Sequence, residues 1–105
     1  GVHPESGTRV ISARAARQTL SVMATCGMYD ASGRWLTEIG IPAKSGVSGG
    51  IIGVLPGQLG LASFAPRLND EGNSVQGVEM FKRLTDDFGL HLMSTTAENW
   101  TLIDA

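Results

Sequence analysis

The sequence predicts a three-layer α/β domain, an antiparallel sheet of three strands with helices on both sides. Two stretches, near residues 12–26 and 74–88, carry apolar residues at helical spacing. Between them lie short apolar runs punctuated by Gly and Pro. Gly occurs 14 times in 105 residues while only 17% of residues are charged, a balance that favours tightly turned sheet over a helical bundle. At 42% apolar content a core is affordable, and the length suits one small domain.

Taken in order, residues 1–11 form a turn-rich opening with His3-Pro4 and Ser6-Gly7. Their start reads as a cut within a longer protein. Ser12 is placed to cap a helix over residues 12–26. Ala13, Ala16, Leu20, Met23 and Ala24 take one face, and Arg14, Arg17, Gln18 and Ser21 the other. Gly27 stops it. Asp30-Ala31-Ser32-Gly33 is a turn, and Trp35–Ile39 is the first strand, with a bend at residues 40–42. Gly49–Leu55 is apolar on both faces, so that strand is expected to be covered on both sides. Pro56-Gly57-Gln58 turns the chain into a returning strand, Leu59–Phe64. A loop at residues 69–72 precedes a second helix capped by Asn73 or Ser74, Asn73 with Gln76 resembling a capping box. Val78, Phe81, Leu84 and Phe88 form its stripe, and Gly89 ends it. Residues 94–105 read as a tail or linker, with a weak strand signal at 100–103. There is no repeat and no low-complexity stretch.

Net charge is −2, with eight scattered basic residues. A nucleic-acid partner needs clustered cations, so none is expected. No apolar run is long enough for a membrane span, and no membrane partner is expected. The lone Cys26 lacks a disulfide partner and metal-ligand spacing with His3 or His91. It is expected to be buried and inert, in a reducing, cytoplasmic setting. His91 reads as a partly buried structural histidine, Trp35 and Trp100 as core or interface, and Asp86-Asp87 as a solvated face. No metal or cofactor is expected.

Two motifs bear on chemistry. Gly46-Val47-Ser48-Gly49-Gly50 fits G-x-S-x-G, but a nucleophile elbow needs a helix after the serine. Here Ile51-Ile52-Gly53-Val54 reads as strand, so Ser48 is a sheet-entry residue. Lys44-Ser45-Gly46, read where a strand enters the sheet centre, resembles the K-T-G element of β-lactamases and penicillin-binding proteins. A strand there can supply a backbone N–H to a developing oxyanion. A surface lysine beside a Gly-rich turn is the plainer reading. Tyr29, at a helix end, reads more simply as packing than as chemistry.

Three blocks together carry a more specific resemblance. They are Met23-Ala24-Thr25-Cys26-Gly27-Met28-Tyr29-Asp30-Ala31-Ser32-Gly33, then Gly40-Ile41-Pro42-Ala43-Lys44-Ser45-Gly46-Val47-Ser48-Gly49-Gly50-Ile51, then Asn73-Ser74-Val75-Gln76-Gly77 with Gly89-Leu90-His91-Leu92. This series resembles the C-terminal part of the bacterial-type, serine-dependent glutaminases over residues 1–93. The resemblance implies part of a serine β-lactamase-like fold and a parent enzyme that hydrolyses L-glutamine to L-glutamate and ammonia. In that family a serine of an S-x-x-K motif attacks the amide and the lysine activates it. By resemblance, Tyr29 lines the substrate pocket and takes part in proton transfer. By the same resemblance the Val47 backbone N–H completes the oxyanion hole, Ser45 is a catalytic residue close to substrate, and Lys44 binds substrate.

No serine in the chain is followed by lysine three places on. The nucleophile and base are thus expected upstream, and the segment alone is expected to be inactive. Without the strands that flank it in the family, the edge at Leu59–Phe64 should be open. A homo-oligomer, a swapped arrangement or pairing with the missing half is then expected. A β-lactamase or D,D-peptidase relative, or a non-enzymatic interaction module, remain the alternative readings.

Overall fold

The computed structural model describes residues 1–94. The strand signal at 100–103 and Trp100 lie outside the described residues. Helix α1 spans Ala13–Cys26, α2 Ser32–Glu38 and α3 Val75–Phe88; strands β1, β2 and β3 span Ala43–Ser45, Gly50–Leu55 and Leu59–Phe64. The sheet is antiparallel throughout, in the order β1-β2-β3.

The caps set the helix limits. Ser12 begins α1, its side chain accepting from the Ala15 N–H. Ser74, not Asn73, begins α3, accepting from the Gly77 N–H at 3.0 Å. Gly89 closes α3 in the left-handed conformation, φ 63°, which glycine adopts without a Cβ penalty. Gly27 closes α1 while remaining in the right-handed region. Its role is steric: a Cβ there would stand 1.7 Å from the Ala43 carbonyl oxygen. The Gly27 carbonyl accepts from the Ser45 N–H at 2.9 Å, joining the end of α1 directly to β1. Pro56-Gly57 makes the β2–β3 turn, with Gly57 at φ 75° and the Gln58 N–H on the Leu55 carbonyl, as expected of a Pro-Gly turn centre.

Residues 35–39 form a helix, not the expected strand. Trp35 and Ile39, four apart, lie on one side under both a two-residue and a 3.6-residue period. Ala31 and Ser32 are also buried, and only a helix puts positions 31, 32, 35 and 39 together. The expected turn at residues 30–33 is instead a short 3-10 turn, Tyr29–Ala31, running straight into α2. The first strand is thus Ala43–Ser45, paired only with β2. Lys44-Ser45 therefore lies at an edge of the described sheet, not at its centre.

The core gathers Met28, Trp35, Ile39, Ile41, Ala43, Ile51 and Phe81. The Trp35 and Phe81 rings meet at 5.3 Å and 55°, a tilted pair worth about 0.5–1.5 kcal/mol beyond its buried area. Trp35 Nε1 donates to the Ile41 carbonyl at 2.7 Å, and Thr85 Oγ1 donates to the Ile39 carbonyl at 2.7 Å. The first bond fastens the segment that leads into β1, and the second ties the end of α2 to α3.

Of the α3 stripe, Phe81 is buried but Phe88 is exposed. On the outer side of α3, a hydrogen bond and then the charge of Glu79 raise the pKa of Arg83. Both groups are solvated, so the pair adds little stability.

The expectation that β2 is covered on both faces holds on one side only. Ile51 and Leu55 are buried, and Gly53 lies against Phe81 of α3. The opposite face looks toward α1 across open clefts, and Ile52 stays 54% exposed there. Ala16, Leu20, Met23 and Ala24 of α1 are half-buried on their side of these clefts. Cys26 is exposed, contrary to the buried thiol expected: nothing among the described residues covers its side of α1. His91 is half-buried, its Nε2 2.9 Å from the Thr37 carbonyl oxygen. The β3 edge is open among the described residues, with Phe64 70% exposed.

Candidate functional site

The chemistry-bearing residues of the sequence converge at the end of β1. Tyr29 leads the 3-10 turn between α1 and α2. Its φ is +56°, the one positive value at a non-glycine residue among those described. For a bulky residue this is an outlier that costs on the order of 1–3 kcal/mol, and such strain clusters at working sites.

Local bonds hold the turn. Ser32 Oγ accepts from the Met28 N–H at 3.0 Å and donates to the Tyr29 carbonyl at 2.7 Å. The result brings the Tyr29 side chain to β1, where its hydroxyl donates to the Ser45 carbonyl at 3.1 Å.

Lys44 joins the same point. Its Nζ lies 4.8 Å from the Tyr29 ring centroid and also donates to the Ser45 carbonyl. An ammonium at that distance over a phenol ring is attracted by the ring's negative face. Lys44 pairs with Ile52 in register, so it projects on the α1 side of the sheet, where it lines an open groove of about 510 Å³ with Gln18, Val22 and Met23.

Ser45 points the other way. It pairs with Ile51, which in turn pairs with Ser63, placing Ser45 and Ser63 on the α3 side. Ser45 is fully buried, and its Oγ has no hydrogen-bond partner among the described residues.

Val47 is not on a strand, as its reading required. It sits with Ser48 in the turn that joins β1 to β2. Gly46 donates to the Gly50 carbonyl at 2.9 Å and Gly49 to the Gly46 carbonyl at 3.0 Å. Gly49, at φ 106°, passes so close to Pro66 that a Cβ would stand 2.5 Å from its Cα, so the turn is pinned from beneath. A tight hairpin needs these dihedrals more than it needs continued strand. Val47 is 73% exposed, and its backbone N–H has no partner among the described residues. Ser48 is exposed in the same turn, and β2 follows it, so the excluded elbow is absent.

One solvent-facing end of the sheet thus presents a phenol, an ammonium and an unpartnered backbone N–H. The Tyr29 hydroxyl grips the carbonyl of the residue two before Val47. Such a set can donate protons and hydrogen bonds to an oxygen that gains negative charge. Among the described residues, no three His, Cys, Asp or Glu side chains gather to hold a metal, and no helix is long and apolar enough to cross a membrane.

A family model described as Glutaminase matches residues 1–93. The chain belongs to the glutaminase family. Its likeness to curated members is close. It is 65% identical over 95 residues to the glutaminase of Corynebacterium glutamicum and 64% identical over 94 residues to that of Corynebacterium efficiens. These matches cover 90% of this chain but 23% and 22% of those proteins, so the chain spans about a quarter of the length of its relatives.

Solved structures agree on the fold. A crystal structure of Mglu in its tris and glutamate form superposes with a TM-score of 0.87 at 52% identity, over 92% of this chain and 22% of that one. A probable glutaminase, ybaS, superposes with a TM-score of 0.84 at 39% identity, over 90% and 31%. The family membership matches the resemblance read from the three blocks, and the three-strand sheet between helices belongs to that family's fold.

Sequence reasoning missed Asn73 as part of this site. It is buried, and its Nδ2 donates to the Met28 carbonyl at 3.1 Å. An asparagine just before a helix reads as a cap, and no pattern in the sequence ties it to a turn 45 residues away.

Proposed function

We propose that the chain is the oxyanion and proton-transfer side of a glutaminase that hydrolyses L-glutamine to L-glutamate and ammonia. The observation that carries this is the Tyr29 hydroxyl on the Ser45 carbonyl, two residues before the unpartnered Val47 N–H, in a chain of the glutaminase family. In the reaction, a serine supplied by the rest of the protein attacks the side-chain amide and forms an acyl-enzyme. The Val47 N–H stabilises the oxygen that becomes negative. Tyr29 shuttles a proton between the nucleophile and the leaving ammonia. Lys44 adds positive charge at the rim. Ser45 contributes through its carbonyl and through burial, since its hydroxyl lies on the far face of the sheet. A Mglu structure in its glutamate form supports a site for the product acid in a relative.

The chain lacks any serine followed by lysine three places on, and a catalytic unit without its nucleophile and base keeps only residual activity. The full-length protein is therefore expected to release ammonia from glutamine, while the 105-residue chain alone shows at most a residual rate, thousands of times slower. A coupled glutamate assay on both, with asparagine and a chromogenic cephalosporin as comparison substrates, decides it. Cephalosporin turnover without glutamine turnover would place the protein with the β-lactam hydrolases; glutamine turnover by the chain alone near the full-length rate would show that its own residues supply a nucleophile.

The open β3 edge, with Leu59 and Phe64 exposed, is where the remainder of the protein or a second copy adds a strand. Light scattering on the isolated chain is expected to give a mass above the 11.0 kDa monomer. A clean monomer at tens of micromolar would show that the edge does not seek a partner.

A further inference from the structure

We infer that Asn73 is a positioning residue that sets the backbone of Tyr29, and through it the reach of the Tyr29 hydroxyl. The catalytic half of this inference rests on the role proposed for Tyr29; the positioning half does not.

A peptide unit is planar, so the Met28 carbonyl and the Tyr29 N–H turn together. Whatever fixes the Met28 oxygen therefore restricts the φ of Tyr29, the residue held at +56°. Two donors reach that oxygen. One is the Ala31 N–H at 3.2 Å, a bond of the local turn. The other is Asn73 Nδ2 at 3.1 Å, from the loop just before α3, 45 residues further along the chain. Because Ala31 already satisfies the carbonyl, Asn73 is not needed to avoid a buried unpaired acceptor. Moreover, Asn73 leaves its own Oδ1 buried without a partner among the described residues. Flipping the amide would only aim that oxygen at another oxygen. The Met28 carbonyl is thus the one hydrogen-bond partner of that amide group among the described residues.

The loop that carries Asn73 is built to hold it still. Asn69 Oδ1 accepts from the N–H groups of Glu71 and Asn73, both at 3.0 Å. The Asn69 N–H donates to the Asn73 carbonyl at 2.8 Å. Arg34 of α2 bonds Glu71 at 2.5 Å, fastening the loop to the helix that follows Tyr29. Gly72, at φ 89°, lies along the Tyr29 ring, where a Cβ would be 3.6 Å from Cδ2 and Cε2. Loop and turn thus meet at both the backbone and the ring of one residue.

The test uses the full-length protein with Asn73→Ala, Asn73→Asp and Thr85→Val. Thr85 is the matched control: it too is buried and donates across 46 residues, to the Ile39 carbonyl, but bonds neither Met28 nor Tyr29. Hydrogen exchange over residues 28–32 is expected to rise in both Asn73 variants and to stay at the wild-type level in Thr85→Val. Turnover number on glutamine should fall about tenfold to a hundredfold in the Asn73 variants, with KM moving less than about threefold, while Thr85→Val keeps its turnover. Circular dichroism on each variant selects conditions where all are folded, and the two Asn73 substitutions guard against one failing to fold. Unchanged exchange at 28–32 overturns the inference, as does an equal turnover loss in Thr85→Val. Faster exchange with unaltered turnover upholds the positioning and instead removes Tyr29 from the reaction.

Discussion

Replacing Tyr29 by Phe in the full-length protein is expected to lower kcat/KM for glutamine by about 10²- to 10⁴-fold, the usual worth of a positioned proton donor and acceptor. The substitution takes away one oxygen and leaves the rest. The ring keeps its contact with Gly72 and its place under the Lys44 ammonium. The positive φ is a backbone matter that Phe must also accept. The lost bond to the Ser45 carbonyl is partly exposed and costs about 0.5–1.5 kcal/mol of stability. A modest change in melting temperature with a large loss of turnover is therefore the expected signature. Steady-state kinetics on wild type and variant measure it. A loss below about tenfold would mean that the phenol only packs beside the sheet.

The second large effect is structural. Gly27→Ala is expected to destabilise the protein by about 3 kcal/mol or more, the upper part of the range for overpacking. The added methyl would sit 1.7 Å from the Ala43 carbonyl oxygen and 2.6 Å from that of Met23. Both are main-chain atoms, so no rotamer change relieves the overlap. Relief requires α1 to move off β1, breaking the Ser45 N–H bond to the Gly27 carbonyl and shifting the carbonyl that Tyr29 holds. Gly33→Ala is the contrast. Gly33 lies in the first turn of α2 with nothing within 4 Å of a new Cβ, and Ala favours helix by up to about 1 kcal/mol. Urea unfolding of the two variants should give opposite signs. Equal midpoints would show that the α1–β1 junction has room for a side chain at position 27.

How much of this could be read from the residues differs by element. α1 and α3 were legible because each carries a helical period long enough to exclude the alternative, and β2 and β3 because they are short apolar runs bounded by Gly and Pro, with Pro56-Gly57 marking the hairpin between them. α2 was not legible, because the four-residue spacing from Trp35 to Ile39 suits strand and helix alike. β1 has three residues, too few to show any period.

The site was legible only in pieces. Tyr29, Lys44, Ser45 and Val47 stood out through the resemblance carried by the blocks around them, but where each side chain points depends on register. Lys44 and Ser45 are neighbours in sequence and project to opposite faces of the sheet. Val47 needed a strand in the sequence reading, yet a turn leaves its N–H free where a paired strand would have consumed it. Cys26 was misread because burial was inferred from residue type, whereas its place on α1 is decided by what covers the helix. Asn73 was invisible for the opposite reason: its partner is a backbone carbonyl, which leaves no mark in the sequence.

In the proposed reaction, Tyr29 and the Val47 turn act together on one carbonyl-derived oxygen and its departing amine. A structure of the full-length protein with bound L-glutamate tests this most directly. The expected result is a side-chain carboxylate oxygen of the ligand within hydrogen-bond distance of the Val47 N–H, with the Tyr29 hydroxyl turned from the Ser45 carbonyl onto the same carboxyl group. Ligand density away from both residues, or the Val47 N–H bonded to the protein's own backbone, would contradict it.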